Sequence, residues 1–222
     1  MSFSKTLSYF LVHQLKTSYR EVNSWIETGL VEVDGIVVNN NIIISETCEI
    51  KVKGVLIRER KQFHYFLFHK PRGVESTLNR EIKNTLCDFI PQELKLHPAG
   101  RLDKYSEGLM ILTDDGSLTW NLLHTGLEKE YLVTVDKPID ETFRAKMENG
   151  IEILGQVTKP CKVFIEDEKT FRIILTQGLN RQIRRMCFKC NVEVQVLKRI
   201  QIDHYLLKNL APGELRSFNP GK

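Results

Sequence analysis

Residues 97–116, His-Pro-Ala-Gly-Arg-Leu-Asp-Lys-Tyr-Ser-Glu-Gly-Leu-Met-Ile-Leu-Thr-Asp-Asp-Gly, constrain the fold more than any other stretch. Leu109 to Leu112 are apolar without alternation, and Asp115-Gly116 is a turn signal that ends the run. A short run of this kind needs cover on both faces, so it predicts a buried strand. The loop before it is polar and carries Arg101 and Asp103. A charged loop set against a rigid strand is a common way to hold a reactive side chain still. Local pattern alone favours a blander reading, a solvent-facing ion pair of little energetic consequence.

Length and charge set the bounds. A chain of 222 residues suits one large domain, or an ordinary domain plus a small module. No run approaches the roughly 18 apolar residues of a membrane span. The N-terminal residues lack the apolar core of a secretory signal, which points to the cytoplasm and away from membranes. The five cysteines, an odd number, argue against a disulfide framework. Cys187-Phe188-Lys189-Cys190 is a lone pair with no second pair or histidine pair at zinc spacing, so buried free thiols on a helix are expected. Net charge is +4, unevenly spread: residues 1–57 hold five Lys/Arg and six Asp/Glu, and the remainder is +5. Between Asn180 and Ile200 six bases stand against Glu193 alone. Such a cluster suits a polyanionic partner or a solvated basic face.

The chain then reads as follows. Leu7, Phe10, Leu11 and Leu15 recur at helical spacing and predict an amphipathic helix over 5–16. Ser18-Tyr19-Arg20-Glu21 is a capping box for a second helix with Val22, Trp25 and Ile26 inward, and Gly29 fits the left-handed position after it. Residues 30–33 alternate as a strand, Asp34-Gly35 signals a tight hairpin, and 49–55 form another strand. The charged run 58–61 reads as a linker between domains 1–57 and 63–222. Beyond it, 63–68 predict a central strand, and Leu118, Leu122 and Leu123 a short helix. Residues 128–135 form a strand carrying Tyr131, and Asp140 caps a helix that ends at Asn149-Gly150. Further strands are expected around Gly155, over 171–176 and over 192–202. Asn180 is placed to cap the next helix, where Arg181, Arg184 and Arg185 share one face. An arginine-rich first turn opposes the helix dipole unless carboxylate or phosphate sits opposite.

Several motifs carry a resemblance. Gly100-Arg101-Leu102-Asp103 with Ser106-Glu107-Gly108-Leu109 is similar to the central motif of the RNA pseudouridine synthases, in the branch with the small- and large-subunit ribosomal RNA enzymes. Lys70-Pro71-Arg72-Gly73, Lys129-Glu130-Tyr131-Leu132-Val133 and Asn180-Arg181-Gln182-Ile183-Arg184-Arg185-Met186 resemble other motifs of that family, and the likeness spans nearly the whole chain. The first 57 residues, two helices then a small hairpin sheet, resemble the S4-type RNA-binding module. Thr6 and Tyr9 stand where such modules carry basic residues, leaving Lys5, Lys16 and Arg20 as its phosphate candidates. The fold implied is α+β: a small S4-like module followed by a mixed, mainly antiparallel catalytic sheet.

The resemblance implies isomerisation of uridine to pseudouridine in structured RNA, with large-subunit ribosomal RNA foremost, by a monomer that needs no cofactor and no metal. It gives Asp103 the central role, Arg184 as the cation that stabilises the carboxylate, Ile183 as packing for the base, and Tyr131 as a base-stacking phenol that can accept the C5 proton. Arg101 would fill the stack that the flipped uridine leaves. Lys70, Arg181, Arg185, Lys198 and Arg199 would hold the RNA backbone. Rival readings are a small-subunit or transfer-RNA synthase, a non-catalytic RNA-binding protein, and a glycosidase. The last needs two opposed carboxylates where the motif supplies one.

Overall fold

The computed structural model describes residues 5–220, with Lys5 described in its backbone alone. The chain divides into two compact units, residues 1–63 and 64–222.

The smaller unit opens with β1 (Lys5–Thr6), α1 (Leu7–Leu15) and α2 (Tyr19–Glu27). Then come β2 (Val31–Val33), β3 (Ile36–Val37), β4 (Ile43–Ile44), β5 (Ile50–Val52) and β6 (Val55–Arg58). The Ser18–Glu21 capping box starts α2 as its sequence requires. Asp34 and Gly35 both take positive φ, the geometry of a two-residue hairpin turn joining β2 to β3. Four strands pair in the order β3-β2-β5-β6, and β1 pairs with β4. Leu7, Leu11, Val22, Ile26, Val31 and Ile50 form the core. The single strand expected over 49–55 is two strands, because Lys53-Gly54 makes a second tight turn. Arg58 is no linker residue. It ends β6 and donates from Nε to the Cys48 carbonyl at 2.9 Å.

The larger unit contains β7 (Tyr65–Lys70), a 3₁₀ turn (Leu86–Asp88), β8 (His97–Pro98), β9 (Glu107–Thr113), α3 (Gly116–His124), β10 (Lys129–Val135) and α4 (Glu141–Glu148). It continues with β11 (Glu152–Ile153), β12 (Gln156–Val157), β13 (Lys162–Asp167), β14 (Thr170–Leu175), α5 (Gln182–Lys189), β15 (Val194–Ile202), β16 (Tyr205–Leu206) and β17 (Leu215–Ser217). One sheet runs β13-β14-β10-β15-β9-β7-β17, with β16 added to β15 and β8 to β9. Its pairs are antiparallel except β9 with β15. The run Leu109–Leu112 is fully buried in β9, flanked by β7 and β15, as its unbroken apolar character requires. One side of the sheet packs on α4 and α5 through Val133, Phe143, Phe171, Ile183 and Met186.

The parallel pair positions the site. Gly108 aligns with Arg199 and has φ 109°, a region L side chains rarely adopt. A β-carbon there would lie 2.6 Å from the Arg199 nitrogen and nearer still to its carbonyl oxygen. Only glycine lets the start of β9 approach β15 so closely.

Candidate active site

The backbone of the loop between β8 and β9 is tied down at several residues. Leu102 is buried, and the Ser76 hydroxyl holds its backbone at both ends, donating to the carbonyl at 2.7 Å and accepting from the N–H at 3.1 Å. The Gly73 N–H donates to the Lys104 carbonyl at 2.8 Å. The Ser106 N–H turns back to the Asp103 carbonyl at 3.0 Å. Arg184 reaches in from α5, its Nη2 donating to the Tyr105 carbonyl at 3.0 Å and the Ser106 hydroxyl at 3.3 Å. Its Nη1 donates to the Val194 carbonyl at 3.2 Å, which links the loop to β15. The half-buried Asp103 carboxylate accepts no hydrogen bond and joins no ion pair among the described residues. A loop fixed on all sides around a free carboxylate is pre-organised for work on a ligand.

That carboxylate lines a recess of about 110 Å³ with Arg101, Tyr131, Arg181, Ile183 and Leu197. The recess adjoins a cleft of about 500 Å³, sharing Arg101, Leu102, Asp103, Gly178, Leu179 and Arg181 with it. Tyr131 is aimed by a register shift in the β10–β15 ladder between Glu130 and Tyr131. Behind its ring, 6.0 Å from the centroid, lies the Arg199 guanidinium. Burial pulls the Arg184 guanidinium below its ordinary pKa, neighbouring Arg181 adds to this, and the charge of Asp103 opposes it. Arginine nevertheless stays protonated at any working pH.

Asp103, Arg101, Tyr131, Ile183 and Arg181, separated by up to 82 positions in sequence, therefore meet at one recess. Arg184 does not pair directly with Asp103 as expected. Its hydrogen bonds go to the loop backbone, and it acts on the carboxylate through charge alone. Arg185 turns back on Asn180, donating from Nε to the carbonyl at 3.1 Å and from Nη2 to Oδ1 at 3.2 Å. Asn180 is accordingly no cap: α5 starts after Arg181, which takes a left-handed φ of 51°, with no side-chain cap bond. The Gln182 side chain instead accepts from the Leu179 N–H at 3.0 Å. Lys198 is half-buried on β15. In the smaller unit Lys16 and Arg20 are exposed, and the Lys5 side chain lies outside the described residues.

Two expectations are corrected. Lys70 does not face phosphate. It is 0% exposed, and its ammonium donates to the carbonyls of Val74 at 2.7 Å, Pro71 at 2.9 Å and Lys104 at 3.3 Å. Burial pushes its pKa down to about 8 against the pull of Asp103 and Glu107. Arg199 is likewise no surface residue. It is 3% exposed, and its Nε donates to the Leu109 carbonyl at 2.7 Å. Alternation along β15 sends Lys198 and Arg199 to opposite faces, so only one of the pair can look outward. Sequence reasoning missed Ser76 and Leu197 altogether. Ser76 lies in an irregular segment with no periodicity to mark it, and Leu197 reads as ordinary core.

Cys187 is buried on α5 with its thiol pKa pushed up by burial, and Cys190 caps the helix; both are free. Among the described residues no cluster of three or more His, Cys, Asp or Glu could hold a metal. Nor is any helix among them long and apolar enough to cross a membrane.

Comparison with known proteins shows the family. The RNA pseudouridylate synthase family model matches residues 64–189. The dual-specificity RNA pseudouridine synthase RluF of Escherichia coli (strain K12) is 43% identical over 205 residues, 90% of this chain and 71% of that protein. The ribosomal large subunit pseudouridine synthase B of Bacillus subtilis (strain 168) is 33% identical over 227 residues, 96% of this chain and 92% of that protein. A crystal structure of a pseudouridylate synthase superposes with a TM-score of 0.68 at 30% identity, covering 98% of this chain and 97% of that one. The chain belongs to the RNA pseudouridylate synthase family.

Proposed function

We propose that this enzyme converts a specific uridine of ribosomal RNA, foremost of the large subunit, to pseudouridine, with Asp103 as the reacting acid. In this reaction the N1–C1′ bond breaks, the uracil turns, C5 joins C1′, the C5 proton is lost, and the freed N1 takes up a proton. Product and substrate are isomers, so no redox partner or group donor enters. The observation that carries the reading is a carboxylate without a partner in a recess walled by Tyr131 and Ile183. The Asp103 carboxylate attacks the sugar or removes a sugar proton as uracil leaves. Tyr131 stacks on the everted base and is near enough to take the C5 proton. Arg184 keeps the loop in place and supplies positive charge behind the carboxylate. Arg101, exposed at the mouth, takes the space the uridine vacates, and Arg181 and Lys198 meet phosphate. Everting a stacked base costs a few kcal/mol, which these contacts offset.

The smaller unit acts as an S4-type RNA-binding module that offers Lys16 and Arg20, with its low charge making its contribution modest. The enzyme is read as a cytoplasmic monomer, since its substrate is ribosomal RNA and the recess is lined by residues of a single chain. The E. coli relative is named dual-specificity, so transfer RNA is a second target to be tested. The Asp103→Asn variant is expected to lose isomerisation and keep RNA binding. Turnover surviving in that variant refutes the assignment. Chemical mapping of pseudouridines in ribosomal and transfer RNA, from cells with and without the protein, identifies the site.

A further inference from the structure

A second groove, of about 500 Å³, lies between α5 and the β11–β12 hairpin. Its walls are Arg181 at the N-cap of α5, Arg184, Arg185, Phe188 and Lys189 from the helix, and Leu154 from the hairpin. Two of these side chains are exposed apolar groups. Phe188 is 69% exposed although the inner face of α5 buries Ile183, Met186 and Cys187. Leu154 is 53% exposed and has a φ of 52° at the first corner of its two-residue turn. That corner favours asparagine, aspartate or glycine, and a leucine there is strained. The hairpin thus holds an apolar side chain out in water at an energetic cost, facing an exposed aromatic ring.

We propose that this groove binds an unpaired nucleotide of the RNA substrate, its base stacked on Phe188 and its phosphates met by Arg181, Arg185 and Lys189. The inference rests on the proposed isomerase reading and extends it to a recognition site. Arg181 lines the recess, the cleft and this groove alike, so the three meet at one cationic side chain. Arg181 and Phe188 line this groove together, one at the N-cap of α5 and the other in its last turn. Glu193 is the groove's one acid among the residues that line it. Lys189 makes no hydrogen bond or ion pair among the described residues, and Arg185 has Nη1 to spare. Alternation of cationic and aromatic groups is how proteins take up single strands without reading sequence. An acidic protein segment would be served by the charges but would have no use for a bare phenyl ring among them.

The test uses the full chain. With ribosomal RNA from cells lacking this protein as substrate, and C5-tritium release as the measure, Phe188→Ala is expected to raise KM about tenfold. Its kcat should stay within about twofold of wild type, and Phe188→Tyr, which keeps the ring, should restore KM. The same substitution at Phe164, an exposed ring on β13, should change neither. Independently, oligouridylate should quench the added fluorescence of Phe188→Trp, and oligoglutamate should not. An unchanged KM in Phe188→Ala, an equal loss in Phe164→Ala, absent quenching, or equal quenching by oligoglutamate each overturn the proposal. The fluorescence titration reads the groove whether or not the protein turns over. Failure of the isomerase reading therefore shows in tritium release from the wild type, and failure of the groove shows in the quenching.

Discussion

Ser76 gives the sharpest test of how the Asp103 loop is held. Its hydroxyl bonds the backbone of Leu102 twice, once as donor at 2.7 Å and once as acceptor at 3.1 Å. Ser76→Ala removes both bonds and leaves the N–H and carbonyl of a buried residue without their partner. Each such bond contributes about 0.5–1.5 kcal/mol net, so about 2 kcal/mol of loop order is at stake once water entering from the cleft is allowed for. If that order must be regained in the transition state, the rate falls by about 30-fold, at 1.36 kcal/mol per decade. The loss belongs in kcat, since Ser76 forms the floor of the loop and the phosphate-facing residues are untouched. Single-turnover tritium release separates the chemical step from binding. Ser76→Thr, which keeps the hydroxyl, should recover most of the rate. A kcat within twofold of wild type in Ser76→Ala, or a loss confined to KM, refutes the view that a rigid loop holds the acid in place.

Other outcomes follow from the same frame. Gly108→Ala should destabilise the larger unit by about 2–5 kcal/mol, because a β-carbon collides with the Arg199 backbone at a φ only glycine accepts comfortably. Gly116→Ala, with nothing within 4 Å and at the start of α3, should instead stabilise by about 0.4–1 kcal/mol. Thermal unfolding of the pair decides whether the close β9–β15 approach is needed. The Lys70 ammonium, pushed down to about 8 from its ordinary 10.5, sheds its proton in the folded chain before the unfolded one does. The unfolded state then holds more protons across that window, so this group's contribution to stability rises with pH, by at most about 1.4 kcal/mol per unit. Denaturant midpoints of wild type relative to Lys70→Met, between about pH 8 and 10, should show that gain, and a fall would contradict it. Neutralising Lys16 and Arg20 together should weaken RNA binding by no more than about threefold, and a steep drop with a reduced salt slope would show a stronger grip than their unit's charge suggests.

Much of this protein is local in origin. The unbroken run Leu109–Leu112 admits only a strand covered on both sides, the Ser18–Glu21 box starts a helix wherever it occurs, and Asp34-Gly35 makes its turn from backbone preference alone. The motif around Asp103 and the likeness of Tyr131 and Ile183 to family residues made the recess legible before any fold was known. What only the tertiary structure decided is which charges are free. Lys70 and Arg199 look like surface bases in the sequence, yet both are buried, with the Lys70 ammonium and the Arg199 Nε turned to backbone carbonyls. Arg184 reads as the partner of a carboxylate and proves to be a clamp on the loop. Phe188 reads as a helix residue like any other, and packing alone leaves its ring in water. Secondary structure follows from spacing along the chain, because turns and ladders are short-range. The state of a charge depends on what long-range packing places around it, and no local pattern carries that information.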